Sequence, residues 1–100
     1  MLTVRLTSEF ESWLDGLRDK KAQVRIVARL RQAETGNLGD WKAVGTGVSE
    51  MRVNFGPGYR LYFARKGSVL IIMLAGGDKS SQATDIRRAQ RILKQLESEL

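Results

Sequence analysis

The sequence of 100 residues predicts an α+β fold that begins with a strand and two helices, continues with three strands and ends with a helix (β-α-α-β-β-β-α). Three changes of hydrophobic period predict it. Apolar residues recur at helical spacing between residues 10 and 33, alternate with polar residues between residues 50 and 63, and return to helical spacing after residue 80. Helices followed by a run of strands favour an α+β architecture over repeated βαβ units.

The first element is a strand over residues 2–6, where apolar and polar side chains alternate, and it is expected to join an edge of the sheet. Two helices follow: Thr7 or Ser8 caps the first, Asp19 caps the second, and Gly36-Asn37 ends the second. The two helices are predicted to form a hairpin that covers one face of the sheet and leaves the other partly open. Their apolar stripes are Phe10, Trp13, Leu14 and Leu17 in the first helix and Ala22, Ile26 and Ala33 in the second.

Three strands joined by short turns are then predicted to form an antiparallel meander. Apolar residues alternate over residues 51–55 and 59–63, and residues 69–75 are apolar throughout, as in a strand buried on both faces. Gly56-Pro57-Gly58 forms one turn, and Gly76-Gly77 is expected to break the last strand. A final helix follows, with its cap candidates and apolar stripe at Ser80, Ser81, Ile86, Ala89, Gln90, Leu93 and Leu96.

The composition excludes several classes of enzyme site. The chain has no cysteine and no histidine, which excludes disulfides, zinc sites of the usual kind, thiol nucleophiles and Ser-His-Asp triads. The net charge is +6, and residues 42–94 carry ten basic but only three acidic side chains. That balance is typical of a nucleic-acid-binding protein or of a well-solvated small domain.

The length suits a single domain over residues 1–100. No signal peptide is recognisable, and no apolar run is long enough to span a membrane. We therefore expect the protein to act in the cytoplasm.

A candidate site is predicted where the final helix begins. Alternation in the meander places Glu50 and Arg52 on one face, and it places Arg60 on the neighbouring strand within their reach. Lys79 comes near the N-terminus of the helix, where free N–H groups attract anions. We expect Arg52, Arg60 and Lys79 to converge on one phosphate.

Such a site suits cleavage of RNA by the 2′-hydroxyl next to the phosphate. Guanidinium groups stabilise the charge on the phosphorus centre, Glu50 is the candidate base, and Lys79 is a candidate for exchanging protons. Because the chain has no histidine, no side chain titrates near neutral pH unless its environment shifts it, so a host that orients the substrate has to supply the missing rate. Further RNA contacts are expected from tyrosines that stack bases and from exposed basic side chains: Tyr59, Tyr62, Lys42, Arg87 and Arg88.

Four segments in order resemble the RelE/ParE superfamily of bacterial toxins, in the HigB-like branch of addiction-module killer proteins. Each segment alone is weak, whereas the ordered set is specific and spans most of the chain. The segments are Phe10-x-x-Trp13-Leu14-x-x-Leu17-x-Asp19, Gly36-Asn37-x-Gly39-Asp40-x-Lys42-x-Val44-Gly45-x-Gly47-Val48-x-Glu50, Gly56-Pro57-Gly58-Tyr59-Arg60-Leu61-Tyr62-Phe63 and Gly76-Gly77-Asp78-Lys79-Ser80-Ser81-Gln82-x-x-Asp85-Ile86.

The resemblance implies a RelE-like fold, a small antiparallel sheet with an N-terminal helix hairpin and a C-terminal helix. It implies the toxin of a type II toxin–antitoxin system, an mRNA interferase that inhibits translation by cutting mRNA on the ribosome, and we expect neither a metal nor a cofactor. The implied partners are the ribosome, mRNA and a cognate antitoxin, a helix-turn-helix DNA-binding protein through which alone operator DNA is contacted. Matched by motif, the active side chains are Glu50, Arg52, Arg60 and Lys79.

The chain departs from relatives at two positions. Asp85 stands where several ribosome-dependent members carry Tyr or His, and Glu50 stands where some carry Lys. Two alternatives stay open: a ParE-like toxin that binds a protein such as gyrase without cutting RNA, and a degenerate toxin that acts only with its antitoxin in operon repression. The fold does not choose among them.

Overall fold

A computed structural model describes residues 1–99, which form one five-stranded sheet and three α-helices. In chain order the elements are β1 (Thr3–Leu6), α1 (Ser8–Asp15), α2 (Lys20–Glu34), β2 (Trp41–Gly45), β3 (Val48–Val53), β4 (Tyr59–Lys66), β5 (Leu70–Asp78), a 3₁₀ turn (Lys79–Ser81) and α3 (Gln82–Ser98).

The strand order across the sheet is β1-β5-β4-β3-β2. The predicted α+β class is confirmed, and so are the meander and the place of β1 at a sheet edge. The expectation of a purely antiparallel sheet is wrong in one respect, because β1 runs parallel to β5 and the sheet is mixed. The helix hairpin and the meander separate β1 from β5 in the chain, and a long connection of that kind permits parallel pairing.

One strand was not predicted, the edge strand β2. It pairs with β3 through a tight turn at Thr46-Gly47, where both residues have positive φ (56° and 80°), as hairpin turns of the I′ kind require. Four of the five residues of β2 are exposed and the fifth is half-buried. An edge strand with no buried face leaves no alternating apolar signal, which is why the pattern did not reveal it.

Gly76-Gly77 does not break β5, contrary to expectation. The strand continues to Asp78, and the two glycines pair with Leu61 and Arg60 of β4. A β-carbon at Gly76 would collide with the indole ring of Trp13, and one at Gly77 would collide with a carboxylate that α3 places against the strand. Glycine is required here because side chains pack closely on both faces of the same strand.

Helices cover both faces of the sheet. The hairpin of α1 and α2 packs on one face, as predicted, against a core that includes Met51 and Leu61. The other face is not left open, because α3 packs on it through Ala89, Ile92 and Leu93. This second core forms because β5 presents apolar side chains on both faces, and the amphipathic α3 buries the face that the hairpin does not reach.

The helix caps follow the sequence closely. The Thr7 hydroxyl accepts a hydrogen bond from the backbone N–H of Phe10 at 3.2 Å, and the Asp19 carboxylate accepts one from Lys21 at 3.0 Å. Both residues are therefore confirmed as N-caps. Ser81 holds the N-cap position of α3 but makes no capping bond, since its hydroxyl points elsewhere. Among residues 1–99, no helix is both long and apolar enough to cross a membrane.

Candidate functional site

The candidate site lies on the sheet face that α3 covers, at the end where α3 begins. Arg52 and Arg60 stand directly opposite each other on β3 and β4. Glu50 lies two residues before Arg52 on the same face and is fully buried. Gln82, the first residue of α3, reaches Glu50 from the helix side. We call Glu50, Arg52, Arg60 and Gln82 the Glu50 cluster.

The carboxylate of Glu50 organises this cluster. Its Oε2 accepts a hydrogen bond from Nε2 of Gln82 at 2.7 Å. Its Oε1 lies 3.4 Å from Nε of Arg52 and 3.7 Å from Nε of Arg60. A buried carboxylate is tolerated only when it is paired and hydrogen-bonded, and Glu50 meets both conditions. Because two arginines share one carboxylate, the cluster keeps an excess of positive charge.

The two arginines differ in exposure. The side chain of Arg60 is 12% exposed and that of Arg52 is 34% exposed. Arg60 Nε is buried and makes no hydrogen bond, so its contact with Glu50 is purely electrostatic. An anion that approaches this edge meets a fixed, partly desolvated guanidinium and a more exposed one beside it, and it is attracted more strongly than by solvated side chains.

Glu50 does not fit the role of base that the sequence analysis gave it. A base has to reach the proton that it removes, and Glu50 is enclosed with both carboxylate oxygens engaged by Gln82, Arg52 and Arg60. The structure instead makes Glu50 the counter-charge that fixes the orientation of the two arginines.

Tyr62 lies beside the cluster but cannot stack a base, which corrects a second expectation. It is fully buried under α3, and its hydroxyl has no hydrogen-bond partner. Burial raises the pKa of Tyr62 far above its ordinary value, and the charges of Glu50 and Asp85 raise it further. The phenol is therefore neutral.

Tyr59 is also unavailable for stacking on RNA. It is 7% exposed and lies on the opposite face of the sheet, where its ring meets that of Trp13 edge-on with centroids 6.1 Å apart. Burial raises its pKa too. The alternation of side chains in β4 separates Tyr59 from Arg60 by a whole sheet layer.

Asp85 is an acidic residue of the site that the resemblance flagged only as a departure. It is buried in the first turn of α3, and its carboxylate lies against Gly77, which pairs with Arg60 in the sheet. It accepts a hydrogen bond from the hydroxyl of Ser81 and forms an ion pair with Arg88 at 3.5 Å. Asp85 thus holds the start of α3 against β5.

The two lysines of the predicted site are both exposed. Lys42 on β2 is directly opposite Glu50 and extends the basic side of the cluster toward the sheet edge. Lys79 opens the 3₁₀ turn beside Gly58, at the end of the strand that pairs with β4. Within residues 1–99, the ammonium group of Lys79 makes no hydrogen bond or ion pair. The sheet therefore brings Glu50, Arg52 and Arg60 together, with Lys79 at its end.

The turn that carries Lys79 has its own anchor. The carboxylate of Asp78 accepts hydrogen bonds from the backbone N–H of Ser80 at 2.8 Å and from its hydroxyl. These bonds lower the pKa of Asp78. Farther along α3, Arg87 and Arg88 are exposed, and Arg88 turns toward a groove between α3 and α1.

Sequence reasoning missed Arg29 of α2, which fixes the backbone of the site. Its guanidinium donates to the carbonyl oxygens of Arg52 and Leu38, the latter at 3.0 Å, and Gly39 lies against it. Burial lowers the pKa of Arg29. One available signal was an arginine at the border of the apolar stripe of α2. Gln82 was also missed as a partner of Glu50, because no local pattern links residues 32 positions apart.

In the described part of the chain, no three acidic, histidine or cysteine side chains come close enough together to hold an ion.

Comparison with known proteins identifies a similar protein and a matching family model. An uncharacterized protein of Haemophilus influenzae is 40% identical to the chain over 95 residues, which is 95% of this chain and 96% of the relative. Residues 12–97 match the family model for phage-derived Gp49-like proteins (DUF891), a toxin family of the RelE/HigB-like kind that implies a cognate antitoxin as partner. The chain therefore belongs to the Gp49-like family of toxin–antitoxin toxins.

Proposed function

We propose that the protein inhibits translation as a ribosome-dependent mRNA endonuclease. The observation that carries the proposal is the pair of cross-strand arginines, Arg52 and Arg60, held by one buried carboxylate. Guanidinium groups fixed in advance stabilise the negative charge that develops on phosphorus during cleavage. Two arginines that share a single buried counter-charge keep a net positive charge, and this arrangement favours a phosphate ligand over a purely structural role.

In the proposed reaction the 2′-oxygen of a nucleotide attacks the adjacent phosphorus, and the bond from phosphorus to the 5′-oxygen breaks. The 2′-hydroxyl loses its proton to solvent water and the 5′-oxygen gains one from Lys79, which water then reprotonates, and this leaves a 2′,3′-cyclic phosphate and a free 5′-hydroxyl. Arg60 and Arg52 bind the nonbridging oxygens, and Lys79 donates the proton to the leaving oxygen. Glu50 acts through the arginines as a positioning residue.

The site supplies no side chain suited to remove the proton from the 2′-hydroxyl. The chain has no histidine, and the nearest carboxylates, Glu50 and Asp85, are buried and engaged. A ribosome that holds the mRNA in a reactive geometry compensates for the missing base, because orientation alone is worth many orders of magnitude in rate. Exposed basic side chains around the site contact the RNA backbone in this proposal, namely Lys42, Arg87 and Arg88.

Growth arrest and precursor labelling test the proposed function in cells. Expression of the chain without antitoxin is expected to stop amino-acid incorporation before thymidine incorporation. Arg60→Ala is expected to abolish the arrest, whereas Arg65→Ala, an exposed arginine on the same strand, is expected to leave it intact. If thymidine incorporation stops first, the protein acts on DNA topology and the proposal is wrong.

A further inference from the structure

The outer face of α2 combines apolar and basic side chains and packs against nothing in residues 1–99. The buried side of α2 is formed by Ala22, Ile26, Leu30 and Ala33. Helical spacing places Lys20, Val24, Ala28 and Arg31 on the opposite side, with Lys21 beside them. All five are exposed, and the side chain of Val24 is 68% exposed. We call these five residues the α2 outer face.

The charges of α2 oppose its own dipole. The first turn carries Lys20 and Lys21 and no acidic residue, although the N-terminus of a helix favours negative charge. The one acidic residue of the helix, Glu34, is its last. None of the ion pairs within residues 1–99 involves a basic side chain of α2, and four of these side chains are exposed: Lys20, Lys21, Arg25 and Arg31.

Two shallow grooves flank the exposed Val24. One runs between the helix and Phe55, where the guanidinium of Arg25 lies 4.8 Å from the ring centroid. The other is lined by Val27, Ala28 and Arg31. Apolar grooves bordered by cations are complementary to a partner surface on which apolar side chains are bordered by carboxylates. A nucleic-acid backbone offers phosphates but no apolar side chains to fill such grooves.

We propose that the α2 outer face binds an acidic amphipathic helix of the cognate antitoxin, an inference that rests on the proposed function as a toxin. Apolar side chains at i, i+3/i+4 and i+7 of that helix would lie along Val24 and Ala28, and its carboxylates would meet Lys20, Lys21 and Arg31. The α2 outer face and the Glu50 cluster lie on opposite sides of the sheet. Ala28 and Arg52 line one groove, so an antitoxin helix bound here passes near Arg52 but leaves Arg60 on the other face uncovered. It neutralises the toxin by barring its approach to the ribosome.

Charge reversal on the first turn of α2 separates binding from folding. Lys20→Glu/Lys21→Glu places negative charge at the helix N-terminus, so the melting temperature is expected to stay equal or to rise. The same change is expected to raise the Kd for purified antitoxin about tenfold at low salt. The Kd should then also depend less steeply on salt concentration. Val24→Asp is expected to weaken binding by about the same factor, because a carboxylate replaces an exposed apolar contact.

The matched control reverses two exposed cations on the side of the sheet that α3 covers. Arg5 lines a groove with α3, and Lys94 lies on α3 itself. Arg5→Glu/Lys94→Glu is expected to change the Kd less than about threefold, since it alters only long-range attraction. Titration calorimetry at two salt concentrations and thermal unfolding supply all the values.

Each remaining outcome overturns the proposal. Wild-type affinity in both α2 variants would place the antitoxin elsewhere while leaving the proposed toxin activity untouched. If the two α2 variants kept their affinity for the antitoxin but lost binding to anionic lipid vesicles or to an oligoribonucleotide, the α2 outer face would be a lipid or RNA surface. Failure of the wild-type chain to bind its antitoxin would remove the partner, and mRNA cleavage, which is assayed without antitoxin, would still report on the proposed function.

Discussion

Glu50 is the residue on which the candidate site depends most. Removing its carboxylate leaves Arg52 and Arg60 close together with no counter-charge between them. Glu50→Ala is therefore expected to lower the free energy of unfolding by about 3 kcal/mol, measured by urea denaturation. The control is Glu97→Ala, which breaks an exposed ion pair with Lys66 and is expected to cost less than about 1 kcal/mol. Equal losses in the two variants would show that Glu50 does not organise the cluster.

The unpartnered hydroxyl of Tyr62 gives a second prediction at the residue scale. Burying a hydroxyl without a partner costs free energy, so Tyr62→Phe is expected to raise the free energy of unfolding by about 1 kcal/mol near neutral pH. Because the native pKa of Tyr62 lies above that of the unfolded chain, the unfolded state releases its proton first, and stability falls as the pH rises above 10. The variant should lose less stability in that range, as measured by denaturation at pH 8 and above. A less stable variant at neutral pH would mean that the hydroxyl is partnered.

At the scale of elements, Gly76 and Gly77 couple β5 to a helix on each face. A β-carbon at Gly76 displaces Trp13 of α1, and one at Gly77 displaces Asp85 of α3. Both alanine variants are expected to lose about 2 kcal/mol of stability through overpacking, measured by denaturant unfolding. Only Gly77→Ala shifts the start of α3, so cleavage activity at a temperature where both are folded should fall further in Gly77→Ala than in Gly76→Ala. Equal activity in the two variants would contradict a role for the α3 start in holding the site.

Most of the elements could be predicted from the sequence because each carries a local signal. The caps at Thr7 and Asp19 and the alternation in β3 and β4 are properties of short segments. Strand β2 carries no such signal, because none of its residues is buried. The glycine pair was misread because the reason for it lies in Trp13 and α3, far away in the chain.

Only the part of the candidate site that carries a local signal in the sequence could be predicted. Alternation correctly placed Glu50, Arg52 and Arg60 on one face. The burial of Glu50 and Tyr62 could not be predicted, because it depends on how α3 crosses the sheet. Gln82 and Arg29 act through single long-range hydrogen bonds, which no periodic pattern encodes.

At the scale of the whole molecule, the sheet separates two surfaces of different chemistry. One face carries α3, the Glu50 cluster and the basic side chains proposed to contact RNA, and the other carries the α2 outer face proposed to bind the antitoxin. The net charge of +6 is expected to attract both proposed partners at long range, and local contacts are expected to decide where each binds. Activity on the ribosome and neutralisation are therefore expected to respond to different sets of substitutions.

The most direct test of the account maps mRNA ends by primer extension in a purified translation system. The wild-type chain is expected to produce new ends within the codon in the ribosomal A site, and only when ribosomes are present. Arg65→Ala should give the same ends, whereas Arg60→Ala, assayed as folded protein, should give none, because it removes the guanidinium that Glu50 holds in place. Ends that persist in Arg60→Ala, or that are absent with the wild-type chain, would contradict the account.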